Sequence, residues 1–89
     1  MKFISIATWE SQQRDDYASK RMEKGRMAPE GIKVLGEWLD VSGGRQIILY
    51  EANSAMTCFN WANRWNKIVT VETFPVLEVK DDKATELSE

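Results

Sequence analysis

Glu37 lies in the run IKVLGEWLD, and Gln46 and Tyr50 lie in the run RQIILYEA. If a hairpin pairs these runs, Glu37 comes beside Ile48 and diagonal to Tyr50. A few polar groups set into an apolar surface is how small-molecule sites are composed. A glutamate buried there would have its pKa raised by desolvation, which suits a general base. The plainer alternative is that Glu37 pairs with Lys33 or with a cation on a partner chain. Trp61, in the stretch CFNWANRWN, completes the candidate ligand-binding set. At about 100° per residue, Ala55, Cys58, Ala62 and Trp65 share one narrow sector of a helix. Phe59 and Trp61 flank it on opposite borders, and Asn60, Asn63 and Arg64 fall opposite. The stripe reads as a core-facing helix rather than an aromatic box. Trp61, on the border, could still reach a pocket mouth or a partner subunit, and its indole N–H needs an acceptor when buried.

Other residue types with chemical potential have simpler roles. Asp15 and Asp16 are neighbours on a helix and point about 100° apart, which fits a first-turn interaction with the helix dipole better than paired acid–base work. Gly43 and Gly44 lack the lysine and following helix of a phosphate loop and suit a turn. Cys58 reads as a small buried hydrophobe. The chain contains no histidine, which excludes histidine-ligated haem, the H-E-x-x-H zinc site and a Ser–His–Asp triad. A single cysteine cannot form a CxxC site. Neither a metal nor a cofactor is expected.

The elements that would position these residues follow from periodicity. KFISIATW (Lys2–Trp9) is apolar on both faces, as in a strand covered on both sides. Ser11 is a plausible N-cap for a helix through Tyr17, Ala18 and Met22 that stops at Gly25. Residues 25–31 form a loop. Strands are expected over Ile32–Asp40 and Arg45–Ala52, joined by a hairpin in which Gly43 and Gly44 take positive φ. With regular alternation, Ile32, Val34, Gly36, Trp38, Ile47 and Leu49 share one face. Leu35, Leu39, Ile48 and Tyr50 then share the other with Lys33, Glu37 and Gln46. Asn53 or Ser54 caps a second helix to about Asn66, and a fourth strand runs from Lys67 to Phe74. Pro75 interrupts it, leaving PVLEV (Pro75–Val79) extended. The expected domain is residues 1–79, followed by a charged, frayed tail over residues 80–89.

This β-α-β-β-α-β order is the ferredoxin-like α+β arrangement, an antiparallel sheet with two helices on one face. The 89-residue chain carries 43% apolar residues and four tryptophans, yet a domain of this size has a marginal core of its own. The face left uncovered would expose Leu35, Leu39, Ile48 and Tyr50, a patch large for a monomer. A second copy covering it would close two sheets into a barrel across a twofold axis, so a homodimer is expected. Interspersed charges with a net of −2 lack the basic stripe that nucleic acid requires. The apolar runs are too short to span a membrane. A lone cysteine and no leader-like segment at Met1 fit a cytoplasmic protein.

The runs MKFISIATW and GIKVLGEWLDVSGGRQIILYEANS, the tryptophan-bearing second helix and FPVLEV together resemble the dimeric α+β barrel superfamily. Antibiotic-biosynthesis-type monooxygenases are its best-known enzymes. More closely, the Gly36-x-Trp38-x-Asp40 hairpin is similar to that of a small uncharacterised family within the superfamily. The resemblance covers about residues 1–79 and implies a dimeric barrel in which PVLEV reaches across to the other subunit. Its relatives include cofactor-free oxygenases, haem-degrading enzymes and ligand-sensing modules. The missing histidine disfavours the haem branch, and no catalytic residue transfers position by position. Two readings follow. In one, the barrel holds a small apolar or aromatic molecule contacted by Glu37, Gln46, Tyr50 and Trp61, as a cofactor-independent oxygenase at most. In the other, the domain is a non-catalytic interaction module with a packed interior.

Overall fold

The computed structural model describes residues 1–79. Strand β1 (Lys2–Thr8) leads through a short 3-10 turn (Ser11–Gln13) into helix α1 (Arg14–Lys24). Strands β2 (Ile32–Leu39) and β3 (Arg45–Ala52) form a hairpin, helix α2 (Ala55–Asn63) follows, and β4 (Thr70–Val76) ends the order. The sheet order is β2-β3-β1-β4 with every neighbouring pair antiparallel. This is the ferredoxin-like topology expected from the element order. The tail expected over residues 80–89 lies outside the described residues.

Local chemistry explains most boundaries. Glu10, not Ser11, starts the helical segment through a capping box with Gln13, and Gly25 at φ 67° ends α1. Ser54 caps α2 by accepting the Thr57 N–H at 3.2 Å, as Asn-Ser at this point suggested. In the hairpin turn Gly43 takes φ 78° while Gly44 does not. Asp40 closes that turn by accepting from the Ser42 N–H at 3.0 Å and from Arg45 Nε at 2.8 Å. Pro75 does not interrupt β4. It lies inside the strand opposite Phe3, where an edge strand can spare its missing N–H. PVLEV therefore stays with its own sheet as far as Val76, and Glu78 pairs with Lys2 of the same chain at 2.8 Å.

The two faces of the sheet are not the expected ones. The register between β2 and β3 slips between Val34 and Gly36: Val34 faces Tyr50, Gly36 faces Leu49, and Leu35 is the extra residue of a bulge. A bulge shifts the alternation by one and swaps the faces beyond it. Val34, Glu37 and Leu39 thus share a face with Tyr50, Ile48 and Gln46, while Gly36 and Trp38 share the other with Leu49 and Ile47. Both helices lie on the Tyr50 face. Trp61 of α2 meets the Tyr50 ring edge-on at 4.9 Å, and Tyr17 of α1 hydrogen-bonds Gln46. The core is Phe3, Tyr17, Tyr50, Ala52, Cys58, Trp61, Trp65 and Val69. Tyr50, expected on the uncovered face, is fully buried beneath α2.

The opposite face carries Ile4, Ile6, Ile47 and Leu49 at the centre of the sheet, with Trp38 at 55% and Phe74 at 37% exposure. An uncovered apolar face was expected, but built from other residues. The Trp38 indole lies directly over Gly36, where an added Cβ would come within 2.5 Å of the ring. That contact gives a packing reason for the Gly36-x-Trp38 spacing. Gly36→Val should push the indole off the sheet, and should be seen as a shift of the Trp38 indole resonance with a loss of about 1–3 kcal/mol.

Candidate functional site

α1 meets the rest of the fold through the buried ring of Tyr17 and a set of polar contacts. Tyr17 is its only buried residue, while Ala18 and Met22, the other apolar residues on which the helix was read, are exposed. One turn after Tyr17, and so on the same helix face, stands Arg21. Its Nη2 donates to Glu37 Oε1 at 2.9 Å and its Nη1 to Oε2 at 2.5 Å. Arg26, just past the helix, donates to Oε1 from Nε at 3.0 Å and from Nη2 at 2.8 Å. Gln46 Nε2 donates to Oε2, and Tyr17 donates to Gln46 Oε1. One carboxylate on β2 therefore collects five donors from α1, the following loop and β3.

This arrangement reverses the electrostatics expected for Glu37. Its side chain is only 14% exposed, and burial alone would raise its pKa. The hydrogen bonds from Arg21, then those from Arg26, outweigh that effect and hold the carboxyl below its ordinary range. The Glu37 contact in turn raises Arg21. The partners are Arg21 and Arg26, neither Lys33 nor a second chain. A carboxylate so fully occupied is a poor general base. Tyr50 is no better placed. Burial pushes its phenol up to about 12, and its hydroxyl shares a hydrogen bond of 2.8 Å with Ser5, which continues to Thr73 at 2.8 Å.

Behind the charged cluster is a cleft between the helices and the sheet. Tyr17, Trp61 and Trp65 wall it on the helix side, Ala7, Ile48 and Val71 on the sheet side, and Arg21 and Arg26 stand at its mouth. Tyr17 stacks on Trp9 at 4.5 Å and tilts against Trp65 at 5.3 Å. Trp61 and Trp65 donate their indole N–H groups to the same acceptor, the Arg26 carbonyl, at 2.9 and 3.0 Å. Arg64 Nη1 donates to the Met27 carbonyl at 2.7 Å. So α2 fastens the loop that carries Arg26, and Met27 is held there at φ 53°. The space open to water inside the cleft is about 40 Å³, enough for roughly three water molecules at 10–15 Å³ each.

Gln46 and Trp61 line this cleft, Glu37 is held behind its two arginines, and Tyr50 packs against Trp61. The structure brings the four candidates together, but on the helix side of the sheet. The aromatic stretch is core for Cys58, Trp61 and Trp65, whereas Phe59 points out at 61% exposure. Arg21, Arg26 and Tyr17 escaped the sequence reading. The four-residue spacing of Tyr17 and Arg21 was the one available signal.

The ion cluster has a pH signature. Glu37 is held below its ordinary value of 4.5, so its stabilising contribution is complete above that value. It is lost as pH falls through the lower folded-state value. The difference in urea midpoint between the native chain and Glu37→Gln should therefore be constant above about pH 5 and shrink below pH 4.5. Parallel curves down to pH 3 would contradict the clamp.

With the geometry in place, comparisons with known proteins become informative. The structure superposes with a TM-score of 0.50 on the crystal structure of a candidate antibiotic biosynthesis monooxygenase from Deinococcus radiodurans. The match covers 93% of this chain and 98% of the other at 7% sequence identity. At that identity the likeness shows a shared α+β fold, the one implied by the resemblance of the sequence. The family described as "Domain of unknown function (DUF3303)" matches residues 1–87. No curated protein matches the chain.

Proposed function

The chain belongs to the DUF3303 domain family, and from that footing we propose that it is a homodimer whose subunits each bind a small apolar or aromatic molecule in the cleft between α1, α2 and the sheet. One observation carries this reading. A half-buried set of hydrogen-bonding groups (Arg21, Arg26, Glu37, Gln46) converges at the mouth of a cleft walled by Tyr17, Trp61 and Trp65. Apolar walls with a few convergent polar groups is the composition of a ligand site. The contacts between α1 and the sheet are side-chain contacts through Tyr17 and Arg21, so α1 is the element that yields to admit a molecule larger than the resting space. Gln46 and Trp61 then line the ligand, and Glu37 sets the direction of the guanidinium groups. Neither Glu37 nor Tyr50 is a base near neutral pH, so binding is the activity this site supports. A cytoplasmic setting accords with its single, buried thiol.

The dimer rests on the outer sheet face, where Ile4, Ile6, Ile47 and Leu49 lie together without a helix over them. A patch of this kind favours association, and a second copy offers a self-complementary cover. The second reading is an interaction module with a closed interior, and the small resting space of about 40 Å³ favours it. Native mass spectrometry of freshly purified protein separates the two. The binding reading expects a dimer carrying one or two copies of a small molecule that are lost on denaturation. A bare dimer that also fails to take up any small aromatic added in excess would support the closed module instead.

A further inference from the structure

Which ligand the cleft would take is constrained by its charges. Arg21, Arg26 and Glu37 together carry a net charge of +1, since two guanidinium groups face one carboxylate. The cleft lining contains both arginines and no acidic residue. Glu37 sits behind them and already accepts five hydrogen bonds, so it has no capacity for a cationic ligand. Arg26 is different. Its side chain is 43% exposed, it donates to Glu37 through Nε and Nη2, and its Nη1 has no acceptor among the described residues. A planar fork with a free donor beside an aromatic-walled space matches the geometry of a carboxylate.

We propose that the ligand carries one carboxylate on a small apolar or aromatic body, and that Arg21 and Arg26 receive this carboxylate while Glu37 stays in place as their resident counter-ion. The inference rests on the cleft being a ligand site, and it adds the class of ligand. A single negative charge neutralises the cluster, and a dianion overshoots it. Glu37 keeps the guanidinium groups paired and oriented while the site is empty, which lowers the cost of organising them when the ligand enters.

The experiment is a titration of the native protein with phenylacetate and, separately, with phenylacetamide, a neutral ligand of nearly the same shape. It is followed through the four tryptophan indole N–H resonances. The Trp61 and Trp65 signals are expected to shift while Trp38, on the far face, stays fixed. Phenylacetate should bind at least tenfold more tightly than the amide, the usual scale for a charge-assisted bond in a half-buried site. Arg26→Gln should remove most of that preference, weakening phenylacetate far more than the amide. Glu37→Gln, by taking the cluster from a charge of +1 to +2, should raise phenylacetate affinity several-fold. A merely structural role for Glu37 would not produce that gain. Equal binding of the two ligands, or tighter binding of the amide, overturns the carboxylate proposal while leaving the cleft as a binding site. No shift of Trp61 or Trp65 with either ligand overturns both.

Discussion

Tyr50→Ala is expected to lower the unfolding free energy by about 3–5 kcal/mol, the range for removing a large buried aromatic side chain. On a domain with a marginal core this is a large fraction of the total. Tyr50 is fully buried, stacks near Phe3 with ring centroids 6.0 Å apart, and receives the edge contact of Trp61. It therefore joins β1, β3 and α2 at one point. Tyr50→Phe separates packing from polarity. It keeps the ring and removes only the hydroxyl that meets Ser5, so a loss of about 1 kcal/mol is expected. Urea midpoints of the two variants check the pair of values. Equal losses would mean that the hydroxyl row through Ser5 and Thr73, rather than the ring, holds the centre of the fold.

The second large effect is expected on assembly. Ile47 is opposite Ile6 on one side and Trp38 on the other, at the middle of the outer face. In the proposed dimer, Ile47→Glu buries a carboxylate near the twofold axis once from each subunit. Uncompensated charges of this kind cost about 3–5 kcal/mol, more than a hundredfold in the dissociation constant. Light scattering at micromolar concentration should show a dimer for the native chain and a folded monomer for Ile47→Glu. Leu39→Glu provides the contrast. Leu39 was expected on the interface together with Gln46 and Tyr50, but theirs is the face that the helices cover, and Leu39 lies on it opposite Gln46. Its substitution should leave the dimer intact.

The difference between Ile47 and Leu39 shows where reading from sequence stopped. The order of elements was legible because each has a local cause: alternation in KFISIAT, the cap at Ser54, the glycines at 25 and 43. The pairing of Glu37 with Ile48 was legible too, since it depends only on residues near the turn. The covered face was not. Leu39, Glu37, Gln46, Ile48 and Tyr50 were grouped together correctly, and the bulge at Leu35 only adds Ile32 and Val34 to their side. Both faces of the sheet are apolar, so alternation alone does not say which one the helices pack on. With the face misassigned, Glu37 was expected among apolar groups with a raised pKa, whereas it lies under α1 between two arginines. Those arginines were hidden for a different reason. In RDDYASKRMEK a polar face bound to a half-buried carboxylate has the same composition as a polar face bound to water. Only the tertiary contact distinguishes them. Trp61 was left open by its position on the border of the stripe. Its indole acceptor comes from the backbone of Arg26, thirty-five residues earlier, and no local pattern reveals it.

The central claim is that the cleft between α1, α2 and the sheet, and not the outer face, receives a small molecule. A crystal structure of the protein soaked with phenol tests it most directly. The account predicts ligand density between Trp61, Trp65 and Ile48, with α1 displaced outward from the sheet and Arg21 and Arg26 within hydrogen-bonding distance of the ligand oxygen. Density confined to the face of Ile4, Ile47 and Leu49, or an unaltered cleft with α1 in place at saturating phenol, would contradict it.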